Sequence, residues 1–246
     1  MKADANRVDR NSGIAIWRQI ADALRQLIAS GELDDETKLP AESALARRFS
    51  VNRHTVRAAI NALAAEGVLE SHQGRGTFIR RRPRVIYPIG ARTRFTEGVA
   101  QQSQSAVTEV ISSSEEKAVG SVCDALNLQA GIAVLRLETL SRADGIALSR
   151  STSWFYGIGF DSFAERVQQM GSITKALASA GVTDYLRKST IIEAHHADQM
   201  DTVMMGLSPG AIIIETKAIN TKTDRTPLQY VQTRFASDRI SLVVNT

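Results

Sequence analysis

The chain has 246 residues, which is long enough for two modest domains, and 43% of them are hydrophobic, as in ordinary globular proteins. A single cysteine, Cys123, excludes an internal disulfide framework, and with only four histidines we expect no metal site. No apolar run approaches the ~20 residues that span a bilayer, and the first residues lack a signal-peptide core. We therefore expect a cytoplasmic protein without a membrane segment.

The net charge of +4 is unevenly distributed along the chain. Residues 1–84 carry 15 Lys and Arg against 10 Asp and Glu, whereas the remaining residues carry 15 against 16. A basic N-terminal third joined to a near-neutral remainder indicates a head that binds a polyanion. A solvated charged face would give the same count, so only the arrangement of the residues can distinguish it from a polyanion-binding surface.

Apolar residues recur at steps of three and four in the first helical segment, which predicts one buried stripe on a helix of about four turns. The stripe consists of Ile16, Ile20, Leu24, Leu27 and Ile28. Gly31 follows it at a position that suits a helix C-terminus.

Two further helices are predicted on either side of a very short link. Pro40 pre-sets the start of the first, whose buried side holds Leu45 and Phe49, and Asn52 is a favoured N-cap for the second. The link between Phe49 and Asn52 is too short for antiparallel packing, so it predicts the angled crossing of a helix-turn-helix. The core face of the second helix, closed by Gly67, consists of Val56, Ala59, Ile60 and Leu63.

The first turn of that second helix carries the polar side chains Arg53, His54, Thr55 and Arg57. In a helix-turn-helix this turn enters the major groove, where Arg can pair with guanine and Thr can contact a thymine methyl or a phosphate. Two strand-like runs, 68–71 and 77–79, then flank Gly74-Arg75-Gly76, which predicts a hairpin whose tip approaches a backbone closely. Directly after a helix-turn-helix such a hairpin is the wing of a winged helix, and we expect Arg75 to contact a phosphate or the minor groove.

The run PAESALARRFSVNRHTVRAAINALAAEGVLESHQGRGTFI resembles the winged-helix domain of GntR-type bacterial transcription regulators, and the resemblance covers about residues 14–80. It implies a DNA-binding domain over residues 1–80. The implied base and phosphate contacts are Ser43, Arg53, His54, Thr55, Arg57, Gln73, Gly74 and Arg75. Many family members carry Arg where this chain has Ser43, so this base contact is either missing or supplied by Arg47 or Arg48, and the operator preference would differ accordingly.

A basic, proline-broken run at 80–84 predicts a domain boundary, with a linker over 81–86 and a second domain over 87–246. Helices are predicted at 119–126 and at 172–180, the second capped by Ser172. Strands are predicted at 132–140, 146–155, 184–197, 211–220, 228–236 and 240–244, and Asp144-Gly145 marks a hairpin turn. We expect an α+β domain with a largely antiparallel sheet and helices on one side.

The second domain lacks the common catalytic and cofactor motifs: there is no nucleophile elbow, P-loop, metalloprotease histidine pair or dinucleotide fingerprint. We therefore expect neither enzyme activity nor a cofactor. His195 and His196 are adjacent in a predicted strand, so they point to opposite faces and cannot bind one metal ion together. The segment YPIGARTRFTEG indicates a small-anion site, in which Thr96 caps a helix start and Arg92 and Arg94 hold a phosphate- or phosphonate-like group. The alternative for this segment is a solvated basic loop.

A GntR head followed by this layout resembles the HutC subfamily, whose effector domain has a chorismate-lyase-like (UTRA) fold and binds small molecules without catalysis. The segments PAESALARRFSVNRHTVRAAI and YPIGARTRFTEGV look most like those of regulators of phosphonate metabolism, the PhnF type. The resemblance and the anion segment together imply effector contacts at Arg92, Arg94, Phe95, Thr96, Ser141, Arg142, Ser151, Ser153, Tyr230 and Arg234.

Two departures from the subfamily bear on the ligand. Thr139 and Ser141 stand where many sugar-phosphate-binding relatives have an Arg-x-Arg, and those relatives have an acidic residue near Ser151. The differences favour a small anion, such as a phosphonate, phosphate or phosphate ester, over an amino-sugar phosphate. The candidate charges for it are Arg92, Arg94, Arg142 and Arg234.

We therefore predict a homodimeric, ligand-responsive repressor of phosphonate uptake or degradation genes, whose two heads bind the halves of a near-palindromic double-stranded operator. Three alternatives stay open. They are a regulator that senses a sugar phosphate or a urocanate-like ligand, a lyase-like enzyme with a DNA-binding head, and an architectural DNA-binding protein whose second domain only dimerises. Turnover of a ligand would identify the enzyme, and release of an operator by a small molecule would exclude the architectural protein.

Overall fold

The computed structural model describes residues 8–10, 12–29, 32–33, 38–65, 68–72, 74–79, 84–100, 102–158, 160–207 and 211–244. The chain divides into two compact units, Met1–Arg82 and Pro83–Thr246, and each is described by itself. The predicted helix ends at Gly31 and Gly67 and the predicted contact Gln73 lie outside the described residues.

The N-terminal unit is a three-helix bundle with a two-stranded hairpin. Its elements are α1 (Ile16–Ala29), α2 (Glu42–Arg48), α3 (Arg53–Ala65), β1 (Leu69–His72) and β2 (Gly76–Ile79). The apolar stripe of α1 packs against the predicted core face of α3, all four residues of which are buried. The helical periodicity therefore predicted this core correctly, since the faces that meet are those with apolar residues at steps of three and four.

A tight turn joins α2 to α3, and in it Ser50 has a positive φ of 52°. The Asn52 side-chain oxygen accepts hydrogen bonds from the Thr55 backbone N–H at 2.8 Å and from the Thr55 hydroxyl at 2.9 Å. The predicted N-cap is therefore confirmed.

Helix α2 begins at Glu42, two residues beyond the predicted start at Pro40. The backbone before it is held elsewhere: the Leu39 N–H donates to the carbonyl of Thr77 at 2.8 Å, and Lys38 pairs with Phe78 as an antiparallel bridge. These bonds keep residues 38 and 39 extended beside the hairpin, so the helix can start only after them.

The C-terminal unit is built on a six-stranded sheet in the order β4-β5-β6-β9-β8-β7, in which all neighbouring strands are antiparallel. A second, two-stranded sheet pairs β3 with β10 in parallel. The strands are β3 (Val85–Ile89), β4 (Ala106–Lys117), β5 (Ala133–Ala143), β6 (Ile146–Phe155), β7 (Tyr185–His196), β8 (Ile212–Lys222), β9 (Pro227–Ala236) and β10 (Ile240–Val244). The helices are α4 (Phe95–Ala100), α5 (Ser121–Leu126), α6 (Phe160–Met170), α7 (Ile173–Ser179) and α8 (Gln199–Met205). The predicted α+β class is confirmed, and β3 begins inside the predicted linker.

Helices cover both faces of the six-stranded sheet, so the expectation of helices on one side is wrong. Helices α6 and α7 pack over Leu137 and Phe155 on the face that we call the inner face. Helix α5 packs over Tyr230 at one end of the opposite, outer face, and α8 packs over Leu140 and Ile213 at its other end. The strands carry large apolar side chains on both faces, and the side chains of each face need helices that shield them from solvent.

Candidate DNA-binding cleft and effector cavity

The first turn of α3 presents the polar side chains that the sequence predicts for DNA contact. Arg53 and His54 are exposed, whereas Thr55 is half-buried because its hydroxyl is bonded to the Asn52 cap. Helix N-termini with free side chains of this kind suit a major groove and its phosphates. The structure therefore leaves Arg53 and His54 available for bases.

Arg57, a further predicted contact, is held by a carboxylate of the neighbouring helix. Its Nε donates to Glu42 Oε1 at 2.9 Å, and its Nη2 donates to Glu42 Oε2 at 2.6 Å. The hydrogen bond from Arg57 lowers the pKa of the Glu42 carboxyl, and the same bond raises the pKa of the guanidinium. Arg57 thus links α2 to α3 as well as facing solvent.

A cleft of about 450 Å³ lies between the start of α2, the start of α3 and the hairpin. It is lined by Lys38, Leu39, Pro40, Ala41, Glu42, Ser43, Arg53, Ile60, Gly74, Arg75, Gly76 and Thr77. The predicted contacts Ser43, Arg53, Gly74 and Arg75 are therefore brought together. The polar and basic lining of such a cleft suits a nucleic-acid backbone.

The two arginines expected to replace an arginine at position 43 lie elsewhere. Arg47 and Arg48 are exposed in the last turn of α2 and do not line the cleft. Arg48 Nη2 lies 3.9 Å from Glu32 Oε2. The prediction that one of them takes a place beside Ser43 is therefore not supported by the geometry, because α2 carries them to its opposite end.

A second candidate site is a cavity of about 70 Å³ on the inner face of the C-terminal unit. Its wall is dominated by hydroxyl groups, and the described residues contribute no aspartate or glutamate to it. The hydroxyl residues are Thr93, Thr96, Thr108, Thr139, Ser141, Ser149, Ser151, Ser153, Ser172, Thr174 and Thr233, with the phenols of Tyr87 and Tyr185. Arg94, Arg187, Asn220 and Gln229 complete its polar wall.

Arg94 lines the cavity and is held by several contacts. Its Nη2 donates to Asp184 Oδ1 at 2.6 Å, its Nη1 donates to Glu97 Oε2 at 3.4 Å, and its guanidinium carbon lies 5.0 Å from the centre of the Tyr185 ring. Its Nε is buried and, within the described part of the chain, has no hydrogen-bond acceptor. An unpaired buried donor is unfavourable, so this nitrogen is a natural ligand donor.

Arg187 is the second guanidinium of the cavity, and the sequence did not indicate it. Its Nε donates to Asn220 Oδ1 at 2.7 Å, and its Nη1 donates to Thr190 Oγ1 at 3.2 Å. No carboxylate of the described residues pairs with it. Burial raises the pKa of the neighbouring Tyr87 phenol to about 12, although Arg187 opposes that shift. Arg187 therefore supplies a positive charge that no carboxylate in the described part of the chain neutralises.

Hydroxyl pairs fix the rest of the wall. The hydroxyls of Thr96 and Ser172 lie 3.0 Å apart, and Ser151 donates to Thr233 at 3.0 Å. Helix α4 begins at Phe95, so the prediction that Thr96 caps a helix start is wrong, and its hydroxyl turns towards Ser172 instead. Ser172 is the N-cap of α7, as predicted, and accepts from the Lys175 N–H at 3.4 Å.

Of the predicted effector contacts, the cavity brings together Arg94, Phe95, Thr96, Ser141, Ser151 and Ser153. Arg142, Tyr230 and Arg234 lie on the outer face, since each precedes or follows an inner-face residue and side chains alternate along a strand. Arg142 Nε donates to Glu109 Oε1 at 3.2 Å, and Tyr230 stacks on Trp154 with 5.4 Å between ring centres. For these three residues the structure corrects the expectation.

Arg92 also lies outside the lining of the cavity. Its side chain is 59% exposed, and its Nη2 lies 2.9 Å from Asp184 Oδ2. The hydrogen bond from Arg92 lowers the pKa of the Asp184 carboxyl. Asp184 also accepts a hydrogen bond from Arg94, which lines the cavity. Arg92 therefore contacts a partner of the cavity wall and does not line the cavity itself.

The outer face carries an ion-pair network around Asp201, whose side chain is fully buried. Arg150 Nε donates to Asp201 Oδ1 at 2.6 Å, and Arg234 Nη2 donates to Asp201 Oδ2 at 2.6 Å. Asp198 and Asp201 also form a capping box at the start of α8. The network anchors α8 on the sheet and gives Arg234 a structural partner.

The same face holds Glu193, His195 and Glu215, whose candidate metal-ligand atoms lie within 4.8 Å of one another. His196 does not share this cluster, as the strand alternation predicts. Lys217 Nζ lies 2.7 Å from Glu193 Oε2, and Arg234 Nη1 lies 3.7 Å from Glu215 Oε1. Two protein cations therefore already pair with the two carboxylates, and the cluster extends the ion-pair network.

Comparisons with known proteins match both units of the chain. Residues 17–79 match the bacterial regulatory proteins of the gntR family, and residues 101–241 match the UTRA domain. The chain is 44% identical over 242 residues to the uncharacterized HTH-type transcriptional regulator RB1450 of Rhizobium meliloti, which covers 98% of this chain and 99% of that protein. It is 30% identical over 207 residues to the probable transcriptional regulator PhnF of Escherichia coli, which covers 84% and 85% of the two chains.

The fold is similar to the crystal structure of PhnF from Mycobacterium smegmatis, with a TM-score of 0.57 at 21% identity over 92% of this chain and 98% of that one. No helix among the described residues has the length and apolar character of a membrane span. The matched families consist of transcription regulators and not of enzymes. The chain belongs to the GntR family of DNA-binding transcription regulators, in the HutC subfamily that carries a ligand-responsive UTRA domain.

Proposed function

We propose that this regulator is a homodimeric repressor whose effector is a small oxyanion, namely a phosphonate, phosphate or phosphate ester, bound in the inner-face cavity. The observation that carries the proposal is Arg187, a guanidinium that lines a cavity without carboxylates and pairs with no carboxylate of the described residues. Its neighbours are hydroxyls and amides, which can donate to several oxygens of one anion.

Arg94 supports the same ligand chemistry. Its Nε is buried without an acceptor, and an oxyanion would supply one. The cavity of about 70 Å³ has room for a compact head group, which favours a single tetrahedral group. The resemblance of the segment at 87–99 to regulators of phosphonate metabolism points in the same direction, and we propose that the regulated genes serve phosphonate uptake or degradation.

The regulatory step follows from the two sites. In a homodimer the two α3 helices would enter successive turns of the major groove of a near-palindromic operator. Effector binding would favour an arrangement of the heads that no longer matches the half-sites, which is a shift between two populated states. The effector therefore needs only a higher affinity for the released state than for the DNA-bound state.

Thermal unfolding with candidate ligands tests the effector class. We expect methylphosphonate or inorganic phosphate to raise the Tm by several degrees, because a ligand that binds only the folded state stabilises it. Arg187→Ala should abolish that rise. Arg142→Ala is the matched control and should keep it, since Arg142 pairs with Glu109 on the outer face. A rise with glucosamine 6-phosphate or urocanate alone would replace the proposal by the sugar-phosphate or urocanate alternative.

Selection of a binding site from random DNA tests the regulatory step. Fluorescence anisotropy on the selected site should show a tight complex that the stabilising ligand dissociates. A protein that bound the site equally well with and without every stabilising ligand would not be an effector-released repressor. Sedimentation of the complex gives its stoichiometry, and one chain per site would contradict the homodimer.

A further inference from the structure

We propose that Lys38 is a DNA-backbone contact, donating its ammonium to a phosphate in the cleft between the helix-turn-helix and the wing. The inference deepens the DNA-binding function of this family member and rests on it. Lys38 belongs to neither helix nor hairpin tip, so no sequence pattern marked it. The structure places it on the wall of the same cleft as Ser43, Arg53 and Arg75.

The backbone of Lys38 is fixed to the wing. Lys38 pairs with Phe78 as an antiparallel bridge, and the next residue, Leu39, donates its N–H to the Thr77 carbonyl at 2.8 Å. The bridge and this hydrogen bond attach the segment to the hairpin. The backbone that carries the Lys38 side chain is therefore held beside the wing.

The side chain lies over two wing residues. Lys38 Nζ lies 6.0 Å from the centre of the Phe78 ring. A Cβ at position 76 would lie 2.6 Å from Lys38 Cε and 3.4 Å from Lys38 Nζ, and Gly76 also has a φ of +106°. The aliphatic stem therefore crosses the wing at Gly76, and the Lys38 side chain lines the same cleft as Arg75.

The charge of Lys38 is left available for a ligand. No carboxylate of the described residues makes an ion pair with it, and the only acidic residue that lines the cleft, Glu42, accepts two hydrogen bonds from Arg57. The cleft thus holds the cations of Lys38, Arg53 and Arg75 against one carboxylate that is already paired. A region of this charge attracts phosphate.

Lys38 is also one of three cations that the described residues contribute to the cleft that contains Ser43. Ser43 is short and neutral, and Arg47 and Arg48 do not line the cleft, whereas Lys38, Arg53 and Arg75 do. An ammonium on a flexible stem binds phosphate as a point charge and reads no base edge, unlike the planar guanidinium of arginine. We therefore assign Lys38 to affinity and positioning rather than to base choice.

The test compares the full-length protein with Lys38→Met, which keeps the stem over Gly76 and Phe78 but removes the charge. Dissociation constants are measured between 50 and 200 mM salt on the selected operator and on random DNA. We expect affinity to fall about fivefold on both DNAs, and the slope of log K against log salt to become shallower by about 0.9, the value for one phosphate contact. Lys38→Arg should recover most of the affinity.

The control is Lys188→Ala, which removes one lysine charge from the exposed part of β7 in the other unit and should leave both the affinity and the slope unchanged. An unchanged affinity and slope for Lys38→Met would overturn the proposal, and so would a loss confined to the operator, because that would indicate base reading. Thermal unfolding of each variant checks that the head is folded. A wild-type protein without preference for any selected site would instead contradict the regulatory function itself, which is a distinguishable result.

Discussion

Glu42 at the start of α2 and Arg57 in α3 are joined by two parallel hydrogen bonds, of 2.9 and 2.6 Å, across the angle of the helix-turn-helix. The pair places one carboxylate in the wall of the DNA cleft and directs the guanidinium of a predicted contact residue towards α2. The ion pair therefore contributes a negative charge to the cleft wall and restricts the conformation of the Arg57 side chain.

Replacing Glu42 by Gln should release Arg57 and remove the one acidic charge that the described residues contribute to the cleft wall. We expect binding to random DNA to become tighter and more strongly dependent on salt, because a freed guanidinium gains access to phosphate. The preference for the operator should fall. Anisotropy titrations on both DNAs measure this, with Glu165→Gln in α6 as the charge-matched control. Unchanged binding to random DNA would show that the Arg57 side chain stays against α2 even without the Glu42 carboxylate.

Arg53 and Arg75 should separate base reading from backbone contact. Arg53→Ala should cost about 1–3 kcal/mol on the operator and relax the base preference at one position, because an exposed guanidinium in the first turn of α3 can pair with guanine. Arg75→Ala should weaken binding to all sequences and flatten the salt dependence. Competition against operator variants with single base changes resolves the two. Equal losses on specific and random DNA for Arg53→Ala would remove it from the base-reading residues.

Asp201 should be essential to the stability of the C-terminal unit. Asp201→Ala removes the buried carboxylate that Arg150 and Arg234 share and leaves them the more exposed carboxylate of Asp198, so we expect a loss of about 3 kcal/mol in the free energy of unfolding. Urea denaturation measures it. Asp198→Ser keeps an acceptor at the start of α8 and should lose less than about 1 kcal/mol. Similar losses for the two variants would contradict a dominant role of the buried Asp201 carboxylate.

The same residue predicts the response to acid. Although burial alone would raise the pKa of Asp201, the hydrogen bonds from Arg234 and Arg150 outweigh it and lower the pKa below its ordinary value of 3.8. A lowered folded-state pKa means that the stabilisation is fully present above the unfolded-state pKa and is lost as the pH falls through the lower, folded-state value. We expect urea midpoints of the wild type to fall steeply below about pH 4. Asp201→Asn should make the urea midpoint less dependent on pH below about pH 4. An unchanged dependence in this variant would show that Asp201 does not cause the loss of stability in acid.

Local signals in the sequence predicted the N-terminal unit closely. The Asn52 cap and the apolar face that runs from Val56 to Leu63 depend on contacts within one helix and its turn, and the structure confirms them. The start of α2 was predicted too early because the extended backbone at Leu39 depends on a bond to the wing, which is distant in sequence.

The C-terminal unit was less predictable because its missing elements carry weak local patterns. Strand β4 was not predicted, since its edge position leaves most of residues 112–117 exposed and polar, without an apolar alternation. Helices α6 and α8 were also missed. Arg187 escaped notice because a bulge between it and Ser189 decides which face its side chain takes, and single-sequence alternation cannot show a bulge.

The hydrogen bonds that begin at Arg187 cross four strands and all run in one direction. Arg187 Nε donates to Asn220, Asn220 Nδ2 donates to Gln229 at 2.6 Å, and Gln229 Nε2 donates to Ser153 Oγ at 3.0 Å. In each amide the oxygen accepts from the residue on the arginine side, and the nitrogen donates to the next residue along the chain of bonds. Rotating either amide by 180° would therefore break two hydrogen bonds. Ser153 accepts at the far end, which leaves its own hydrogen free to point at a bound anion. These side chains therefore form a directed chain of hydrogen bonds. Through it, Arg187 on the edge strand orients the hydroxyl of Ser153 in the middle of the sheet.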